Sequence, residues 1–189
     1  MEFRRPVSST GESSSEVVYK GSSIRSSPTL PIWRYHDEIL YALERYSVLI
    51  MIGETGSGKS TQLPQILYKN GWTSNGQAIV CTQPRRMACI TLSKRVSEEM
   101  SVVLGEEVGY GVRFESECNK NDKRTSIKYM TDGLLMRETM TDPLLSSYSV
   151  VIVDEAHERS LHSDVLLGLL KKILRKDSQT SGLSSHRLL

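Results

Sequence analysis

Residues 53–60 read GETGSGKS. Three glycines, Gly53, Gly56 and Gly58, are followed at once by Lys59 and Ser60, and the spacing matches G-x-x-x-x-G-K-S/T. The chemistry that needs these residue types in this order is the cradling of phosphates. Glycine permits positive φ and a close approach of backbone to ligand. Successive loop N–H groups, together with the N-terminus of a following helix, then form an anion nest. Gly53, Glu54, Thr55, Gly56, Ser57, Gly58, Lys59, Ser60 and Thr61 are the candidate nucleotide-binding residues. In this pattern Lys59 reaches the β- and γ-phosphates and the Ser60 hydroxyl ligates Mg²⁺. The competing reading is a flexible glycine turn with an exposed lysine. A strand before the loop and a helix after it favour the phosphate cradle, a P-loop.

A phosphate cradle needs a partner that holds the metal and positions water. Val150–Val153 is an unbroken β-branched run that ends in Asp154-Glu155. A buried strand would deliver both carboxylates to its C-terminal end, the edge at which ligands bind in parallel α/β sheets. Asp154 is the candidate Mg²⁺ holder and Glu155 the group that orients or deprotonates the attacking water. Ser60, Asp154 and Glu155 thus form the candidate metal set. Taken alone, a strand end with an acidic helix cap explains the pair equally well. Beside a P-loop that explanation weakens.

These groups need elements to position them. Val48–Ile52 is a short apolar run and predicts a strand buried on both faces. Thr61–Lys69 has helical spacing, with Leu63, Ile66 and Leu67 on one side and Pro64 placed in the first turn, where a missing N–H is tolerated. Tyr35–Tyr46 predicts a helix with Ile39, Leu40 and Leu43 on one face. Asn70-Gly71 is a helix stop. Ala78–Cys81 predicts a strand, and 86–103 a long helix with Met87, Ile90, Leu92 and Val96 inward. Strands are expected over Val108–Phe114 and Ser126–Met130, a short helix over Gly133–Met140 and an amphipathic helix over Leu161–Leu174. Strands alternating with helices specify an α/β fold with a mostly parallel sheet flanked by helices.

Composition bounds the rest. The chain has 189 residues, 38% of them hydrophobic, enough for one domain with a core. The net charge of +2 does not by itself demand a nucleic-acid partner. No window approaches 18 uninterrupted apolar residues, so no membrane span is expected. The N-terminus lacks the apolar core of a secretory signal, and the expectation is an intracellular protein. Cys81, Cys89 and Cys118 fit no zinc spacing and read as reduced thiols. Residues 1–30 are rich in Ser, Gly and Pro and predict a disordered tail, in which Val17–Tyr19 could serve as an anchor. The ordered domain is expected over 31–189.

Further motifs carry a family resemblance. Asp154-Glu155-Ala156-His157, with Glu158-Arg159 after it, resembles the DEAH signature. Together with GETGSGKS it is similar to motifs I and II of the DEAH-box ATP-dependent RNA helicases of superfamily 2. Thr82-Gln83-Pro84-Arg85-Arg86 resembles motif Ia and Thr131-Asp132-Gly133 motif Ib, in the family's order. Asn70-Gly71-Trp72-Thr73 resembles a spliceosome-associated subfamily. The resemblance implies a first RecA-like domain that binds ATP and Mg²⁺ on one side and single-stranded RNA across the top. It implies RNA-stimulated ATP hydrolysis coupled to unwinding or remodelling, nuclear or also cytoplasmic localisation, and spliceosomal or other ribonucleoprotein partners.

By the same resemblance Arg85, Arg86, Arg113, Phe114, Thr131 and Gly133 contact RNA. Guanidinium groups make forked hydrogen bonds to phosphate. Positive charge at a helix start opposes the helix dipole, so Arg85 and Arg86 favour an anionic partner there. Arg95 would stack on the adenine, and His157 would join Lys59 and Glu155 in the catalytic group by coupling the ATP site to a second domain. Trp33 and Trp72 read as packing residues. The family continues into motif III, a second RecA-like domain and its arginine fingers. Here the sequence ends after Arg187-Leu188-Leu189, so the sheet is expected to be incomplete at its C-terminal side. Two readings follow. In one, the residues specify an RNA helicase and the isolated chain is nearly inactive. In the other, the chain is a nucleotide- and RNA-binding fragment or short isoform.

Overall fold

A computed structural model describes residues 30–118, 125–180 and 187–188. The tail and Val17–Tyr19 lie outside the described residues. Among the described residues six strands form one sheet: β1 (Ala78–Gln83), β2 (Val108–Val112), β3 (Glu115–Glu117), β4 (Ile127–Thr131), β5 (Tyr148–Val153) and β6 (Arg187–Leu188). Their order is β3-β2-β4-β1-β5-β6. All neighbours run parallel except the β2–β3 hairpin. The α-helices among the described residues cover the sheet: α1 (His36–Arg45), α2 (Lys59–Lys69), α3 (Arg86–Met100), α4 (Asp132–Thr141) and α5 (Leu161–Thr180). A 3-10 turn over Pro31–Tyr35 leads into α1.

The central strands are buried on both faces because successive side chains alternate between two cores. Ile79, Cys81, Ile127, Tyr129, Val150 and Ile152 pack with α1, α2 and α3. Ala78, Val80, Met130, Val151 and Val153 pack with Leu135 of α4 and Leu166, Leu170 and Ile173 of α5. This three-layer arrangement is the α/β P-loop architecture expected. It brings the ends Gln83, Thr131 and Val153 to one edge of the sheet. No helix among the described residues is long and apolar enough to cross a membrane.

Four expectations need correction. Val48–Ile52 forms no strand ladder with the described strands. It carries single bridge positions at Val48 and Ile52, and Ile50 is 74% exposed. The run is covered on one face only: Leu49 is buried and Met51 packs partly against the core, whereas Val48, Ile50 and Ile52 stay exposed. Pro64 lies inside α2 rather than in its first turn, because the helix begins at Lys59. Met87 is 68% exposed. The buried face of α3 is Cys89, Ser93, Val96 and Ser97, with Ile90 and Leu92 only partly covered. Finally, the strand from Val108 stops at Val112. Phe114 has φ 71° and turns the chain into β3, whose exposed Glu-Ser-Glu sequence offered no apolar signal.

Candidate nucleotide and RNA site

The Gly53–Ser60 loop is closed around its own lysine. An ammonium has three N–H donors. Lys59 Nζ lies 2.5 Å from Gly53 O, 2.8 Å from Glu54 O and 3.2 Å from Ser57 Oγ. Gly58 caps α2 with φ 96°, a conformation that an L side chain resists. The loop is also braced from outside. Ile32 N–H donates to Ser57 O at 3.1 Å, and Ile32 and Leu30 press against Gly58. Trp33 Nε1 donates to Gln62 Oε1 at 3.1 Å.

Interior proline carries a cost in any helix, since it removes the bond to the carbonyl four residues back. For Pro64 that carbonyl is Ser60 O. The hydroxyl of Tyr129, fully buried on β4, donates to it at 2.8 Å. Burial pushes the Tyr129 phenol well up, so it remains a neutral donor. The strand thus repairs the helix at the residue expected to ligate Mg²⁺.

Across the sheet edge, Asp154 follows β5 directly. Its Oδ1 accepts the Glu155 N–H at 2.9 Å, and its Oδ2 accepts Gln83 Nε2 at 2.6 Å. Glu155 has φ 52°, an uncommon left-handed backbone for a non-glycine residue and one that clusters at functional sites. His157 Nε2 lies 3.3 Å from Glu155 Oε2. Among the described residues no three His, Cys, Asp or Glu side chains gather as a metal cage. The donors on offer are a hydroxyl and carboxylates. Such hard oxygens fit Mg²⁺, which keeps most of its waters and takes only one or two protein ligands beside substrate phosphates.

The expected RNA residues occupy the same edge. Arg85 caps α3 and pairs with Glu158 at 3.0 Å. Arg86 lies 3.9 Å from Glu115, and Arg113 stacks 4.7 Å from the Phe114 ring, itself 89% exposed. Each arginine placed against the α3 dipole therefore meets a carboxylate. Thr131 and Gly133 flank Asp132, which accepts Ser163 Oγ at 2.7 Å and so ties that turn to α5. Arg95 lies on α3 and bonds Glu99 at 2.9 Å. Burial pulls the Glu99 carboxyl upward, but hydrogen bonds from Gln65, Arg95 and Gln62 outweigh it and hold the group below the usual carboxylate range.

Sequence reasoning missed Gln83, Tyr129 and the Gln62–Gln65–Glu99 cluster. Each bridges elements far apart in the chain, and no spacing rule reveals such pairs. The three cysteines are free, with Cys81 and Cys89 buried. Burial pushes Cys89 up to about 12, which leaves it an inert thiol.

Residues 33–185 match the DEAD/DEAH box helicase family. The chain is 56% identical over 146 residues to the probable ATP-dependent RNA helicase DHX35 homolog of Caenorhabditis elegans, covering 77% of this chain and 20% of that protein. It is 52% identical over 147 residues to the human probable ATP-dependent RNA helicase DHX35, covering 78% and 21%. It is also 54% identical over 151 residues to the Arabidopsis thaliana pre-mRNA-splicing factor ATP-dependent RNA helicase DEAH10, covering 80% and 21%. The chain spans about a fifth of the length of these curated relatives. With a P-loop, an Asp154-Glu155-Ala156-His157 box and an α/β sheet that holds both at one edge, the chain belongs to the DEAD/DEAH box helicase family, on its DEAH side.

Proposed function

We propose that residues 31–189 form the first RecA-like domain of an ATP-dependent RNA helicase. The observation that carries this reading is the shared edge. The strand end at Gln83 bonds the carboxylate of Asp154, and Arg85, two residues on, pairs with Glu158 of the same acidic loop. ATP-side and RNA-side groups are thereby joined through two adjacent strands.

Each residue then has a physical task. Gly53–Thr61 wrap the phosphates with backbone N–H groups, and Lys59 exchanges its loop carbonyls for phosphate oxygens. Ser60 and Asp154 hold Mg²⁺, which neutralises charge on the phosphates when bound. Glu155 orients the attacking water or takes its proton. Arg95 lies against the adenine. Arg85, Arg86, Arg113, Phe114, Thr131 and Gly133 grip the backbone of single-stranded RNA, fixing position without reading sequence. By the resemblance, arginines of a second domain complete the ATP site, and His157 faces that domain. The chain's similarity to the Arabidopsis pre-mRNA-splicing factor supports a role in pre-mRNA splicing, hence spliceosomal partners and a nuclear location.

The test compares wild type with Lys59→Ala and Glu155→Gln. Binding of a fluorescent ATP analogue is expected to fall at least tenfold in Lys59→Ala and to persist in Glu155→Gln. In the longer helicase, RNA-stimulated hydrolysis is expected to vanish in Glu155→Gln. Normal hydrolysis by that variant would sink the assignment.

A further inference from the structure

The geometry points to Gln83 as a positioning residue that sets the Asp154 carboxylate for Mg²⁺. The inference rests on the reading of Asp154 as the metal-holding group. Gln83 is the last residue of β1, and its partner strand β5 ends one residue before Asp154. Gln83 is 3% exposed, so its amide has little access to water and must be satisfied within the protein. The 2.6 Å contact with Asp154 Oδ2 fixes which end of the amide faces the acid. The reverse orientation would set carbonyl oxygen against carboxylate oxygen at that distance.

A carboxylate offers about four lone-pair positions. Here Oδ1 is engaged by the Glu155 N–H and Oδ2 by Gln83, each from one fixed direction. The plane of the acid is then set by two strands rather than by its own rotamer. The Asp154 N–H also donates to Thr82 O at 3.3 Å, so β1 grips the residue at backbone and side chain together. The remaining lone pairs have a defined aim.

Residue type matters as much as distance. Lysine or arginine at position 83 would hold the acid but discharge it and repel a divalent cation. Glutamate would repel the acid itself. Glutamine is long enough to reach, donates one strong bond and leaves the full negative charge for the metal. Mg²⁺ demands near-ideal octahedral geometry, whereas Ca²⁺ accepts 6–8 ligands in flexible arrangements. Loss of the orienting bond therefore weakens Mg²⁺ more than Ca²⁺. Removing a partner that orients a metal ligand costs about 10–100-fold in metal affinity.

The experiment titrates Mg²⁺ and, separately, Ca²⁺ into the 189-residue chain with a fluorescent ATP analogue. Wild type, Gln83→Met and Asp154→Asn are compared, with chelator present for the metal-free reference. For Gln83→Met the half-saturating Mg²⁺ is expected to rise about tenfold. The Ca²⁺ curve is expected to move less, and affinity for the metal-free nucleotide to stay as in wild type. A merely structural role would move all three measurements together, and that result overturns the inference. So does an Mg²⁺ curve that superimposes on wild type while Asp154→Asn shifts. If Asp154→Asn itself leaves the Mg²⁺ curve in place, the reading of Asp154 fails and takes this inference with it. Should Gln83→Met not fold, Gln83→Asn keeps an amide but is one methylene too short. The same Mg²⁺ shift is expected of it, and an unmoved curve overturns the inference.

Discussion

Tyr129 and Pro64 form a pair whose energetics can be isolated. Pro64 lacks the N–H that would close on Ser60 O, and the Tyr129 hydroxyl fills that vacancy at 2.8 Å from a fully buried position. Tyr129→Phe removes one oxygen, leaves the ring in place and strands the Ser60 carbonyl without its donor. A buried polar group left unsatisfied costs about 1–3 kcal/mol. Pro64→Ala restores an N–H at the right helical position, so in that background Ser60 O has a second donor. Removal of the phenol should then cost only a few tenths of a kcal/mol, the loss of a redundant bond. The expected coupling between the two substitutions is about 1–2 kcal/mol. Urea unfolding of wild type, both single variants and the double variant measures it directly. Purely additive free energies would show that Tyr129 does not compensate for the proline, and the account of how β4 supports the P-loop helix would be wrong.

Two further outcomes follow from the site. An added Cβ at Gly56 (φ 81°) meets nothing within 4 Å, whereas at Gly58 (φ 96°) it comes to 3.0 Å from Ile32 Cγ2 and 3.1 Å from Gln62 Cγ. Gly56→Ala should cost about 1–2 kcal/mol for its left-handed backbone. Gly58→Ala should cost about 1–3 kcal/mol more from overpacking, and equal unfolding midpoints would refute the bracing of the loop by Ile32. Glu158→Gln frees Arg85 from an exposed ion pair worth at most ~1 kcal/mol. Single-stranded RNA should consequently bind up to about fivefold tighter at low salt by fluorescence anisotropy, and weaker binding would mean that Glu158 does not compete with phosphate.

Much of this was legible in the sequence because the site is built from short, local signals. GETGSGKS needs only a loop and a helix start, and Asp154-Glu155 needs only a strand end. The observed β5, α4 and α5 begin within two residues of the expected positions. Illegible features were those set by a neighbour. Whether Val48–Ile52 is covered depends on which strands flank it. On α3, Val96 is buried as expected and Ile90 and Leu92 pack partly on the core, but the sheet accepts the small Cys89, Ser93 and Ser97 closely and leaves the larger Met87 outside. The bond from Gln83 to Asp154 spans 71 positions, and only the strand order brings the two together.

That strand order also sets a timetable for biosynthesis. β1 occupies the centre of the sheet, yet both of its partners, β4 and β5, come later in the chain: Ile79 pairs with Ile127 and Val150. At roughly 5–20 residues per second of translation, the apolar Ala78–Cys81 segment waits about 4 to 15 seconds for its second neighbour. Non-local parallel pairing of this kind is slow and exposes unpaired edges to aggregation. α2 is already made by then and packs on the same strand, so it can shelter one face of β1 on the ribosome while both edges remain open. The fold's survival in the cell is therefore limited kinetically as well as thermodynamically, and the helices made before β1, α1 and α2, are the first cover available to the nascent sheet.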